Sequence, residues 1–175
     1  MKKLTTLLFL LPLTFTIYAQ ESTDKYSHHV ETLDSTLETL YAVISGEKGE
    51  ERDWDLFKYL FKPEAKLIPT GKNQEGEYSA QFMTPSDYIK TAGNYLVENG
   101  FHEVEINRTV DTFGNITQVF STYESFHNKS DKKPFMRGIN SIQLLNDGKR
   151  WWVINVYWKQ ESEESPIPEN YLPKN

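Results

Sequence analysis

The chain has no cysteine. Disulfides and thiolate metal ligands are excluded with it, and so is the lipid attachment that needs a cysteine behind a leader. Positive charge is also short: 19 Lys and Arg stand against 25 Asp and Glu, a formal net charge of −6. That balance argues against nucleic acid or an anionic membrane surface as a partner. No phosphate loop, nucleophile elbow or internal repeat is present. His28 and His29 are adjacent and cannot both face one metal from one helix side, so neither a metal nor another cofactor is expected. Long hydrophobic runs are missing except one. Leu7 to Ile17 follows Met1, Lys2 and Lys3, is interrupted by Pro12, and leads to the small residue Ala19. It is too short to span a bilayer and reads as a secretory signal peptide, residues 1–19, cleaved after Ala19; an uncleaved anchor is the alternative. The expected destination is the periplasm or the medium.

What is present is 38% hydrophobic and 14% aromatic, the composition of a folded globule. Residues 20–160 read as a single domain and residues 161–175 as an extended tail rich in Glu and Pro. The strongest local signal is the hairpin from Phe135 to Trp158, in which two runs of β-branched and aromatic residues flank Asp147-Gly148. Apolar groups on both faces make it central in its sheet. Upstream, Val30, Leu33, Leu37, Leu40, Tyr41 and Ile44 recur at helical spacing. Asp53 caps a short helix from Trp54 to Phe61, and Thr84-Pro85-Ser86-Asp87 starts a helix that stops at Gly100. Ala65 to Pro69 reads as a short edge strand, with another weak strand near Tyr78 to Met83. Phe101 to Phe113, Ile116 to His127, Phe135 to Leu145 and Arg150 to Trp158 read as four long strands. The expectation is an α+β fold, with helices packed on one face of a curved antiparallel sheet of four long strands plus a short edge strand.

The stretches FGNITQVFSTYES, RGINSIQLLNDGKRWWVINVYW and PIPENYL, together with this order of elements, resemble the nuclear transport factor 2-like superfamily, which includes SnoaL-like cyclases and ketosteroid isomerases. More closely, they resemble a branch of small bacterial proteins of that superfamily with no settled activity. The resemblance implies a cone with a cavity between helices and concave sheet, and a dimer through the convex side. It carries no catalytic residues across, because no motif sets the isomerases' tyrosine and aspartate pair on positions of this chain.

Strand pairing says which side chains face that cavity. A turn at Gly114-Asn115 sets Arg108 opposite Ser121, Val110 opposite Val119 and Ile106 opposite Tyr123. A turn centred on Asp147-Gly148 sets Asn140 opposite Asn155 and Gly138 opposite Tyr157. The connection from Asn128 to Pro134 fixes nothing; pairing Tyr123 with Gly138 makes both faces coherent, while the competing register would move Arg137, Ser141 and Gln143 inward. On the chosen register one face is apolar and crossed by a polar row of Arg108, Ser121, Asn140 and Asn155, with Tyr123, Gly138 and Tyr157 beside it. These are the candidate ligand-binding residues. The other face carries Phe120, Glu124, Arg137 and Trp158 and suits a homodimer interface.

Arg108 needs a carboxylate, from a helix residue such as Asp34, Glu38 or Asp87 or from a ligand, since the inner strand face offers none. His102 and His127 read as surface residues. Two classes of function remain: an exported binding domain for a small, partly apolar molecule, or a SnoaL-like enzyme acting on a small carbonyl compound. A dimeric interaction module with a filled core is the third.

Overall fold

The computed structural model describes residues 25–174; the signal peptide expected at residues 1–19 lies outside the described residues. Each helix begins where a polar side chain can satisfy the first free N–H groups. Helix α1, Leu33–Ala42, starts at Thr32, whose hydroxyl accepts from Ser35 N at 3.0 Å while Ser35 Oγ accepts from Thr32 N at 3.1 Å. Helix α2, Trp54–Leu60, is capped by Asp53. Helix α3, Pro85–Asn99, combines a Thr84 and Asp87 capping box with proline in its first turn. It ends at Gly100, whose φ of +71° suits glycine and where a Cβ would lie 2.5 Å from His127 O.

Six strands form one sheet in the order β2-β1-β6-β5-β4-β3: β1 is Phe61–Lys72, β2 Tyr78–Ala80, β3 His102–Phe113, β4 Ile116–Phe126, β5 Met136–Asn146 and β6 Trp151–Gln160. The sheet is curved, unclosed and mixed, because β1 runs parallel to β6 while every other pair is antiparallel. Strand β1 is much longer than the edge strand expected at Ala65 to Pro69. Its pairing with β6 is interrupted between Phe61 and Lys66, which is how it tolerates Pro63. The three helices cover the concave face, where Leu37, Phe57 and Leu60 pack with Val119, Ile142, Leu144 and Val153. The α+β cone is the fold the sequence led us to expect.

Register decides the site, and two bulges set it. Strands β4 and β5 pair as chosen, Tyr123 opposite Gly138 and Ser121 opposite Asn140. Strands β3 and β4 pair Arg108 with Ser121 and Val110 with Val119, but Ile106 is bulged out and Glu105, not Ile106, stands opposite Tyr123. A bulge adds one residue to one strand and so exchanges the faces of everything beyond it. Glu103 and Glu105 thereby turn to the concave side and Val104 outward, where it is 46% exposed. The inner strand face therefore does offer carboxylates.

The last hairpin differs more. The turn takes the four residues between Asn146 and Trp151, centred one position later than expected, with Asp147 Oδ1 accepting the backbone N–H of both Lys149 and Arg150 at 3.0 Å. A second bulge follows at Ile154, and Asn140 faces Trp158, not Asn155. Asn155 and Tyr157 pair with Gln143 and Ser141 and belong to the outer face.

The assigned dimer face is corrected accordingly. Trp158 turns into the cavity. Arg137, although cross-strand to Glu124, gives its hydrogen bonds to Glu161 at 2.5 and 3.2 Å. The tail then runs across the outer face: Glu161 Oε1 accepts from Ile167 N at 2.9 Å, Thr122 Oγ1 donates to Tyr171 O at 2.7 Å, and the Tyr171 ring lies 4.9 Å from Phe120.

Candidate functional site

A cavity of about 240 Å³ lies between the helices and the concave sheet. Its wall is aromatic. Phe57 from α2 stacks on Tyr88 from α3 at 5.4 Å, and Tyr88 meets Trp158 of β6 edge-on at 6.4 Å; Phe101 and Tyr123 complete the ring. Leu40, Leu67 and Val156 fill the gaps between them. The volume falls below the roughly 300–1,000 Å³ typical of drug-sized ligand sites, which restricts the cavity to a compact molecule.

One carboxyl group enters this apolar space. Glu103 accepts from Asn140 Nδ2 at 3.4 Å and Ser125 Oγ at 3.2 Å, and no cationic side chain pairs with it among the described residues. Glu103 is half-buried, since β3 is an edge strand, and it lines both this cavity and the outer groove beside Arg108. Burial pushes the carboxyl up from 4.5 to about 7, against the opposing pull of the two hydrogen bonds. The phenols of Tyr88 and Tyr123 are likewise raised, chiefly by burial and then by the nearby Glu103, and neither hydroxyl has a hydrogen-bond partner among the described residues. Two free donors and a carboxyl group that exchanges its proton near neutrality thus share one cavity.

Tyr123 reaches its place because residue 138 is glycine: a Cβ there would lie 2.6 Å from Tyr123 Oη and 2.4 Å from Lys159 O. The space expected at Gly138 is occupied by the phenol.

Behind the cavity a directed hydrogen-bond chain leads to the surface. Asn140 Nδ2 donates to Tyr41 Oη at 3.1 Å, Tyr41 donates to Ser121 Oγ at 2.6 Å, and Ser121 donates to Glu105. Glu105 pairs with Arg108 Nε at 3.4 Å, and Arg108 Nη2 binds Asp34 Oδ1 at 2.6 Å. Arg108 lines a groove between α1 and β3 that meets the cavity at Tyr41 and Glu103.

Of the six candidate ligand-binding residues, the structure brings Tyr123 and Asn140 to the cavity. Ser121 is fully buried behind it, with its hydroxyl committed on both sides. Arg108 sits in the outer groove with two carboxylates, one of them the helix residue Asp34. Asn155 and Tyr157 are on the opposite face, for the register reason above. His102 and His127 are half-buried, not surface residues; His102 Nε2 lies 3.3 Å from Glu47, His127 stacks on Phe135 at 4.0 Å, and neither lines the cavity. Glu103, Tyr41 and Tyr88 were missed as site residues. The available signal was the break in alternation after Ile106, where Asn107, Arg108 and Thr109 are polar in succession.

No family model and no curated protein matches the chain. Solved structures do match, at identities that speak to fold alone. A nuclear transport factor 2-like protein of unknown function from Silicibacter pomeroyi superposes with a TM-score of 0.51 at 13% identity, covering 80% of this chain and 98% of that one. A provisionally assigned ketosteroid isomerase from Parabacteroides distasonis gives 0.51 at 11% identity, covering 77% and 92%. The beta subunit of a provisionally assigned aromatic-ring-hydroxylating dioxygenase from Novosphingobium aromaticivorans gives 0.56 at 9% identity, covering 85% and 100%. With its three helices laid over a curved, unclosed sheet, the chain has the nuclear transport factor 2-like fold.

Proposed function

We propose that this is an exported domain that binds a small, mainly apolar molecule in the concave cavity, with the ligand's polar end held by Glu103, Tyr88 and Tyr123. The observation that carries the reading is the unpaired Glu103 carboxyl in an aromatic cavity of about 240 Å³. A core that served only to stabilise the fold gains nothing from a desolvated carboxyl and two phenols without partners. Export rests on the leader-like residues 1–19. A homodimer through the outer face now has to bury the tail together with Phe120 and Tyr157.

Native mass spectrometry of the protein purified from its host tests the binding reading and reports the oligomeric state. A reproducible small extra mass on the wild type, lost when Ala92 in the cavity wall is enlarged by Ala92→Phe, is the expected result. A bare mass, with no ligand uptake from added small ketones, alcohols or amines, contradicts it.

A second reading, proton transfer on a small carbonyl compound, is favoured by one specific observation: Glu103 changes protonation at about 7, beside two phenol donors. Glu103 as carboxylate would take a proton from the carbon next to the carbonyl, the C–H electron pair moving into an enolate whose oxygen is met by Tyr88 and Tyr123. Return of that proton to carbon completes the cycle. Deuterium uptake into a cyclic ketone in D₂O, lost in Glu103→Gln, supports this reading; uptake at the solvent rate excludes it.

A further inference from the structure

The charge on the cavity wall has the opposite sign to the one the sequence suggested. Arg108, the cation that would have met an anionic ligand, is held by Asp34 and Glu105 in the outer groove. The cavity's own ionisable group is the carboxyl of Glu103, and none of the described cations reaches it. An ionised carboxylate in apolar surroundings requires a cation or several strong donors. Asn140 and Ser125 give two donations, at 3.4 and 3.2 Å, both at the long end of the hydrogen-bond range. A counter-charge is missing among the described residues.

The remaining walls fit one kind of counter-charge. Faces and edges of Phe57, Tyr88, Phe101, Tyr123 and Trp158 surround the space. Aromatic faces attract organic cations through the ring quadrupole, most strongly where water is excluded, and tryptophan and tyrosine do so best. An anion would meet the Glu103 carboxylate with no cation beside it among the described residues. Tyr88 and Tyr123 hydroxyls, without partners, can accept from an ammonium N–H as readily as they can donate. The walls leave no room for a hydrated inorganic ion to be stabilised by oxygen ligands: one carboxylate and two phenols are too few for a hard metal cation.

Resting on the binding reading above, we infer that the cavity selects a compact organic cation, a protonated alkyl- or arylalkylamine, whose nitrogen pairs with Glu103 and whose apolar part is enclosed by Phe57, Tyr88, Tyr123 and Trp158. The groove between α1 and β3 shares Tyr41 and Glu103 with the cavity, so Glu103 is the carboxyl that lines both.

Titration calorimetry of the full chain at pH 8 with cyclohexylmethylamine and its neutral isostere cyclohexylmethanol tests this. The amine is expected to bind at least about tenfold more tightly than the alcohol, a gap set by the charge pair and the aromatic faces. Glu103→Gln should remove that gap by weakening the amine at least about tenfold, with an unchanged far-UV circular-dichroism spectrum showing that the variant is folded; a gap that persists in the folded variant overturns the inference. Equal or tighter binding of the alcohol by the wild type overturns the cation inference and leaves the cavity reading standing. No binding of either compound by the folded wild type overturns both.

Discussion

Arg108 and Glu103 are neighbours on one edge strand in opposite circumstances. Arg108 is the conspicuous residue in sequence, a cation in an apolar pattern, yet two carboxylates compensate it in a groove open to water. Glu103 is inconspicuous in sequence, one of 25 acidic residues, yet its carboxyl enters the cavity with no cationic partner among the described residues. The difference teaches that a charge marks a site when it is desolvated and unpaired, not when it is merely unexpected. Surface-type pairs such as Arg108 with Asp34 are usually worth little, whereas an uncompensated buried carboxyl carries a free-energy cost that only a proton or a ligand relieves.

The contrast can be broken at Glu103 with the largest effect. Folded Glu103 holds its proton up to about 7, while the unfolded chain releases it near 4.5. Stability from this group is therefore complete below about pH 4.5 and is lost as pH rises toward 7, because the folded state binds the extra proton in that window. The loss amounts to about 3 kcal/mol at most. Glu103→Gln should thus be more stable than the wild type at pH 8 by up to that amount, and close to it at pH 4.5, in urea unfolding. Equal stability of the two proteins at pH 8 would remove the basis of the contrast.

A smaller effect sharpens it. Asn140 donates to both Glu103 and Tyr41, so Asn140→Leu should raise the Glu103 carboxyl further and leave Tyr41 without one of its partners. A loss of about 1–2 kcal/mol in chemical denaturation is expected, with the Glu103 titration moving to higher pH. Arg108→Met should do least. Its ion pairs are partly exposed, and a cost of about 1 kcal/mol or less is expected, with ligand uptake unchanged in native mass spectrometry. Loss of uptake in Arg108→Met would return Arg108 to the binding site and reverse the comparison.

Much of the fold was legible because its signals are local. Caps at Asp53 and Thr84, the stop at Gly100 and the alternation from Phe101 onward mark two helices and the long strands within a residue or two of their observed ends, whereas the first helix, without a cap read at Thr32, is shorter than its apolar spacing from Val30 suggests. The pairing of Tyr123 with Gly138 was legible for a different reason: it is the register in which both sheet faces remain coherent. The candidate site was only half legible. Side-chain direction along a strand has a period of two, so one bulge at Ile106 and another at Ile154 sufficed to exchange faces. Glu103 and Trp158 moved in, and Asn155 and Tyr157 moved out. The long β1 and its parallel pairing with β6 were hidden because Pro63 and Pro69 suggest a short edge. Tail docking depends on Arg137 choosing Glu161 over Glu124, a competition between two carboxylates that sequence spacing does not decide.

The central claim is that Glu103 is a desolvated carboxyl without a cation. Its most direct test is a ¹³C NMR titration of glutamate side chains in the full chain, wild type beside Glu103→Gln. One carboxyl titrating near 7, absent from Glu103→Gln, is the expected result. If every glutamate, Glu103 included, titrates in the ordinary range around 4.3, Glu103 is solvated or paired, and the account of the cavity is wrong.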